Sequence, residues 1–398
     1  MGYVAVKGGT GAIEASIERL RYERLKSATV LDTHRIQAGL RGLVDQVMSE
    51  SSLYSETIAA ICIKQAEGNP EEAVFVMRAF RSTLPRKHYT QTVSSDSMRI
   101  ERRISSTFKD IPGGQILGAS YDYVHRLVDF ALTDETDADA AAWLQQWHEA
   151  ASAGPATTVA VGEQEPAGGI GVLPKVVDYL RENNLMQRNK PDDREPMDVT
   201  KDALSFPTTR SQRLQVLSRG QTGTVTALGY ASLRGFGPLL HPTVAELRVG
   251  YLPAYIPDPF GNPESTDDDE SYYIGEFKVT EVESVVPVSV PRGEGRSQIE
   301  FELGYGICFG QNETKAIAMS LLDQCLERPD PRYPTHDEEF VLLHIDSVEA
   351  TGFISHLKLP HYVTFQSELD SVRRSRRTEQ ASLADREVGL PSDRENRP

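Results

Sequence analysis

Residues 272–290 read YYIGEFKVTEVESVVPVSV and residues 297–310 read SQIEFELGYGICFG. These are long runs in which β-branched and aromatic residues alternate with polar ones or follow one another without a break. Such patterns suit strands buried on one or both faces. NETKAIAMSLLDQCL (312–326) follows at once and opens on an asparagine suited to cap a helix. TGTVTALGYASLRGFG (222–237) reads as a further β-rich run. PAYIPDPFGNPESTDDDE (253–270), between them, holds too much Pro and Asp for regular structure and reads as an exposed loop.

Residues 34–84 have the opposite character. HRIQAGLRGLVDQVMSE, LYSETIAAICIKQAE and PEEAVFVMRAFRSTL each place apolar residues at intervals of three and four, the period of an amphipathic helix. Asn69 can cap the third, with Pro70 in its first turn. The short connections predict an antiparallel helical subdomain. The fold class expected is therefore α+β: a mainly helical N-terminal subdomain followed by a mixed α+β C-terminal domain.

Between them, 134–200 is rich in Ala, Gly, Thr and acids, with one plausible helix, LPKVVDYLRENNLM. It reads as a variable linker. The expected division is 1–133, the linker 134–200, 201–370, and a charged, frayed tail over 371–398.

Composition narrows the function classes. The formal net charge of −16 over 398 residues argues against nucleic-acid binding, which requires Lys and Arg to neutralise phosphates. A small phosphorylated ligand is compatible with it, because screening lets a local arginine cluster outweigh distant acids. No run approaches the ~18–20 apolar residues of a membrane span. MGYVAVKGG lacks the ordered regions of a secretory signal. Cys62, Cys308 and Cys325 are too widely spaced for a disulfide framework or a metal cluster and read as buried small hydrophobes. A cytoplasmic location fits best.

Several segments carry candidate chemistry. YVAVKGG reads as a short strand, and GGTGAIEASIERLRYERL continues it through a glycine turn into a helix, whose start could meet an anion. It matches neither a Walker A loop nor a dinucleotide fingerprint. The densest polar stretch, residues 98–132, supplies Arg99, Arg102, Arg103 and Lys109, donors suited to phosphate or carboxylate. Asp122, His125, Arg126 and Asp129 follow, and the spacing puts Asp122, Arg126 and Asp129 on one helical face. Arg210, Arg213 and Arg219 form a second candidate anion patch, with spacings that favour one helical face, and Arg126, Arg210 and Arg213 are further candidates to bind substrate. His356 and His361 flank Pro360, which should stop a helix before His361 and set the imidazoles on either side of a bend. Two imidazoles are fewer ligands than a zinc site needs, so other groups must complete any such site.

Taken in order, IERRISSTFKDIPGGQILGASYDYVHRLVDF, TRSQRLQVLSRG, LRVGY, GYGICFG, DEEFVL and ISHLKLPHY closely resemble the PhnI family, the nucleosidase-like subunit of the bacterial carbon–phosphorus lyase core complex. The resemblance runs from YVAVKGG to HYVTFQSEL. It implies displacement of adenine from ATP by methylphosphonate, giving α-D-ribose 1-methylphosphonate 5-triphosphate, and nucleosidase activity on ATP or GTP when the chain is alone. It implies core partners G, H and J, with L and K as transient partners, and no cluster on this chain. It further implies that His356 and His361 hold a zinc ion near the contact with the J subunit.

Breaking an N-glycosidic bond builds positive charge on the ribose, so the site wants a carboxylate, an acid for the purine and cations for the triphosphate. On that basis Arg99, Arg102, Arg103 and Lys109 are candidates to face phosphates. Asp110, Asp122 or Asp129 is the candidate carboxylate, and His125 the candidate to protonate the base. The alternative expectation is a mainly scaffolding subunit whose partners complete the site.

Overall fold

The computed structural model describes residues 8–109, 111, 113–153, 173–188, 194–235, 242–259, 271–293, 295–359 and 361–388. In chain order come helices α1 (Gly9–Leu25), α2 (Thr33–Gly39), α3 (Arg41–Ser51), α4 (Glu56–Gln65) and α5 (Pro70–Ser82), then strand β1 (Arg99–Ser105). Helices α6 (Asp137–Ala153), α7 (Val176–Glu182), α8 (Arg210–Arg219) and α9 (Thr222–Leu233) precede strands β2 (Thr243–Pro257), β3 (Ser271–Pro291) and β4 (Ser297–Phe309). Helices α10 (Glu313–Leu326), α11 (Glu338–His344), α12 (Ser347–Ser355) and α13 (Tyr362–Val388) follow. Residues 31–348 form one compact unit, and the two terminal segments, up to 30 and from 349, form another.

In the larger unit the four strands make an antiparallel sheet in the order β1-β2-β3-β4. Alternation along each strand gives the sheet two unlike faces. Leu247, Val249, Val282 and Cys308 pack with Ala316 of α10 on one face. The helix lies close because β4 carries Gly304 and Gly306 there: a Cβ on Gly306 would stand 2.0 Å from the Ala316 carbonyl oxygen. On the other face, Val176, Val177 and Leu180 of α7 pack with Ala245 and Val285, so part of the stretch 134–200 belongs to the core.

The helices expected over 34–84 form, with Leu40 dividing the first of them into α2 and α3. Asn69 caps α5, its side chain accepting from the Glu72 N–H at 2.9 Å, with Pro70 in the first turn. Val44, Val47, Ile63, Val74 and Met77 are buried together as their common core. Arg78 ties this layer to the rest, donating to both Asp346 oxygens at 2.8 and 2.7 Å. All three cysteines are free and buried. Burial pushes the Cys308 thiol up to about 11 and the Cys325 thiol up to about 12.

Some expectations are corrected. TGTVTALGYASLRGFG is not a strand: α9 covers Thr222–Leu233, with Val225, Gly229 and Ser232 buried at helical spacing. The period was hidden because Gly229 and Ser232 do not read as apolar, yet Gly229 faces Ala318, whose Cβ would stand 2.8 Å from an added Cβ. Asp122, Arg126 and Asp129 do not share a helical face. Their segment forms short 3-10 turns at Tyr121–Tyr123 and Phe130–Thr133, and Arg126 has φ 58°, which no right-handed helix accommodates. The charged tail is helical through Val388. Its Arg, Glu, Gln, Ala and Leu are good helix formers, so polarity alone misreads it as coil. The strand expected at YVAVKGG falls largely outside the described residues, whereas the helix expected after it is α1.

Candidate functional site

The arginines of 98–105 lie on a strand, so neighbours point to opposite faces. Arg102 takes the α10 face, its Nε donating to Glu313 at 2.9 Å and its Nη2 to Asp122 at 2.6 Å. Arg103 takes the other, bonded through Nε and Nη2 to Glu246 and through Nη2 to the Pro174 carbonyl at 3.0 Å. Both are buried, so their guanidiniums are engaged with this chain's own acids and carbonyls rather than presented together to a ligand. Arg99 is exposed, pairs with Glu276 and stands 4.5 Å from the Tyr251 ring centre. The Lys109 amine lies over the Phe108 ring, and Asp110 falls outside the described residues.

Asp122 is the meeting point of this segment, paired with Arg102 and standing 3.9 Å from Arg126. A hydrogen bond with Ser120, then the two arginines, hold its carboxyl below the usual carboxylate range. Asp129 caps its own turn by accepting from the Ala131 N–H at 3.0 Å. His125, Asp122 and Asp129 are all exposed.

A more enclosed site lies on the sheet face that carries Arg103. The register sets Arg248 opposite Glu281, Glu246 opposite Glu283, and Glu283 opposite Tyr305. Arg248 Nε donates to Glu281 Oε2 at 2.9 Å, and Tyr305 Oη to Glu281 Oε1 at 3.0 Å. Lys175, just before α7, reaches Glu281 Oε1 at 3.3 Å and Glu283 Oε1 at 3.1 Å. Buried acids and bases thus pair off across the strands, as burial of charge requires. Burial would raise Glu281, but Arg248 and Lys175 outweigh it and hold that carboxyl low. At Glu283 burial prevails over Lys175, and Glu281 adds to it, so this carboxyl is raised. Burial, then Glu281, pushes the Tyr305 phenol well up. Glu283 Oε2 is buried without a hydrogen-bond partner among the described residues.

Beside this row is a cavity of about 700 Å³, within the size range of small-molecule and nucleotide sites. Leu214 of α8 and Leu303, Ile307 and Phe309 of β4 give it apolar wall, and Glu283 and Tyr305 line it too. Arg86, Arg181 and Arg210 also line it. Arg210 grips the buried Asp323 through Nε at 3.2 Å and Nη2 at 2.6 Å. Arg86 pairs with Asp198 at 3.0 Å, and Arg181 stands 3.7 Å from Asp178. Arg210 and Arg213 share one side of α8 and both approach Glu327, while Arg219 turns to Asp346. Sequence reasoning reached Arg210 but missed Arg86, Arg181, Glu283 and Tyr305. Glu281 and Glu283, two acids at alternate positions inside a Val-rich run, were the available signal for a buried polar face. The two arginines gave none.

In the terminal unit the expected bend forms. The α-helix through 347–355 ends at Ser355, His356 begins a 3-10 turn, and α13 starts at Tyr362. The His356 and His361 rings are 5.5 Å apart between centres and nearly perpendicular. His356 Nδ1 bonds the Phe353 carbonyl, and His361 Nε2 bonds the His356 carbonyl at 3.1 Å. A carbonyl only accepts, so each of those nitrogens carries a proton, and in the neutral ring the lone pair is left on His356 Nε2 and on His361 Nδ1. Metal-binding histidines are oriented in this way, the other ring nitrogen donating to a carbonyl or carboxylate. The pair fits two ligands of a zinc site. Among the described residues, no group of three or more His, Cys, Asp or Glu is placed to hold a metal. No helix there is long and apolar enough to cross a membrane.

The family model for PhnI, a bacterial phosphonate metabolism protein, matches residues 2–379. A protein of Rhizobium meliloti (strain 1021) is 39% identical, with 98% of each chain covered. One from Escherichia coli (strain K12) is 40% identical, with 94% of this chain and 98% of that one covered. Both are named alpha-D-ribose 1-methylphosphonate 5-triphosphate synthase subunit PhnI. The chain belongs to the PhnI family.

Proposed function

We propose that this PhnI-family chain is a subunit of the carbon–phosphorus lyase system of phosphonate catabolism and displaces adenine from ATP with methylphosphonate, forming α-D-ribose 1-methylphosphonate 5-triphosphate. Alone, it hydrolyses ATP or GTP to free base and ribose triphosphate. The observation that carries this reading is near-full-length similarity to two named synthase subunits. The cavity supports it, having nucleotide size, apolar wall for a base, and Arg86, Arg181 and Arg210 for phosphates. Asp122, His125 and Asp129 stand on open surface, so on this reading they act only where a partner subunit covers them.

The chain works in the cytoplasm with core partners G, H and J, and transiently with L and K. Tyr121, Leu127, Val128 and Phe130 form an exposed apolar stretch of the kind that marks a subunit contact. His356 and His361 would supply two ligands of a zinc ion, the rest coming from a partner. Bound there, zinc supplies Lewis-acid polarisation of a phosphoryl oxygen or a clamp between subunits.

The test is chromatographic detection of adenine and of the ribosyl phosphonate after the assembled complex is incubated with ATP and methylphosphonate. Absence of both products refutes the reading. The same exposed apolar stretch also favours a scaffolding role. Adenine release by the purified chain alone would exclude a purely scaffolding part.

A further inference from the structure

We infer that Glu283 is the acid that protonates the departing purine from the wall of the cavity between α8 and β4. The inference rests on the nucleotide reading above and adds a named group to it. Three observations meet at this side chain. It lines the cavity that holds Arg86, Arg181 and Arg210. It is 5% exposed, with Oε1 held by Lys175 at 3.1 Å. Its Oε2 is buried with no hydrogen-bond partner among the described residues.

An ionised carboxylate oxygen left bare in such a place is costly, whereas a protonated one is a donor awaiting an acceptor. The charged or titratable groups around it are Lys175 before α7, Glu246 and Arg248 on β2, Glu281 on β3 and Tyr305 on β4, with Arg86, Arg181 and Arg210 lining the same cavity. Burial, the largest influence, favours the proton, and Glu281 adds to it against Lys175. A general acid is most effective when its proton is still present near neutral pH.

The C1′–N9 bond breaks and its electron pair passes into the purine. The proton moves from Glu283 Oε2 to ring nitrogen N7, and a phosphonate oxygen, or water when the chain is alone, bonds to C1′. Glu283 is left as a carboxylate and regains a proton from solvent, or from the attacking water. Leu303 and Ile307 offer apolar wall to the base, and the arginines cation to the triphosphate.

The experiment compares wild type with Glu283→Gln in the assembled complex on ATP and on 7-methylguanosine 5′-triphosphate, whose base leaves without N7 protonation. Gln keeps an acceptor for Lys175, and thermal melting checks that the variant is folded. Base release from ATP should fall by about 10²–10⁴-fold, while release from the methylated substrate stays within about threefold. The alkaline decline of the ATP rate should also vanish in the variant. Equal losses on both substrates, or no loss on ATP, overturn the assignment while leaving the nucleotide reading intact. Wild-type protein that releases base from neither substrate overturns both.

Discussion

Lys175 donates to Glu283 Oε1 at 3.1 Å across the polar face of the sheet, tying the start of α7 to the middle of β3. Both side chains are buried, and the same ammonium reaches Glu281 at 3.3 Å. Lys175→Met would leave that pair of acids with less positive charge beside them. Breaking the buried ion pair with Glu281 and removing the donor to the Glu283 carboxyl should cost ~3–5 kcal/mol, so the variant should show a clearly lower midpoint in denaturant. An unchanged midpoint would mean that Arg248 and Tyr305 alone satisfy the acids.

The contact of α10 with β4 gives a steric prediction. A Cβ at Gly306 would meet the Ala316 carbonyl oxygen at 2.0 Å, a backbone atom that cannot swing aside. Gly306→Ala should cost ~1–3 kcal/mol or more, as overpacking does. Calorimetry of the variant would read it, and wild-type melting would refute the close approach.

Arg86 separates binding from stability. Its ion pair with Asp198 is partly exposed, the guanidine side chain being 37% accessible, so its loss should change stability by less than ~1 kcal/mol. If the arginine also meets a phosphate, Arg86→Ala should raise KM for ATP by about 10–100-fold, the worth of a charge-assisted hydrogen bond. A KM equal to wild type would remove Arg86 from the nucleotide site.

For the imidazole pair, the readout is metal content. Replacing both His356 and His361 by Ala should abolish zinc in the purified complex, because tetrahedral zinc keeps little affinity once half its ligands are gone. Zinc retained at wild-type stoichiometry contradicts the ligand assignment. Zinc lost with turnover unchanged makes the ion a structural clamp.

Stability should also depend on pH through Glu283. Its folded-state carboxyl is raised from an ordinary value of 4.5, so the native state binds its proton more tightly than the unfolded chain. That contribution is fully present below the unfolded value and is lost as pH rises through the folded one. Glu283→Gln does not titrate, so it should gain stability relative to wild type as pH rises. Urea unfolding at about pH 5 and about pH 9 would show it, and a pH-independent difference would place the proton elsewhere.

Local chemistry was legible wherever the chain itself decides the outcome. Asn69 and Asn312 cap α5 and α10 as their positions required, and the apolar periods of 34–84 and the alternation of β3 and β4 gave elements of the right kind. The motifs running in order from IERRISSTFKDIPGG to ISHLKLPHY were enough to point to the family. The proline between His356 and His361 foretold a bend that brings the rings within 5.5 Å.

Partners were decided only by folding. Arg102 and Arg103 are adjacent in sequence, yet strand alternation sends them to opposite faces, where Asp122 and Glu313 hold one and Glu246 the other. Arg86, Arg181, Arg210 and Glu283 are scattered along the chain and meet at one cavity because β3 and β4 pair in a fixed register while α7 and α8 pack nearby. A residue's charge is written in its own side chain, but whether that charge stays free, finds a counter-ion or keeps a proton depends on which distant strand or helix lies against it.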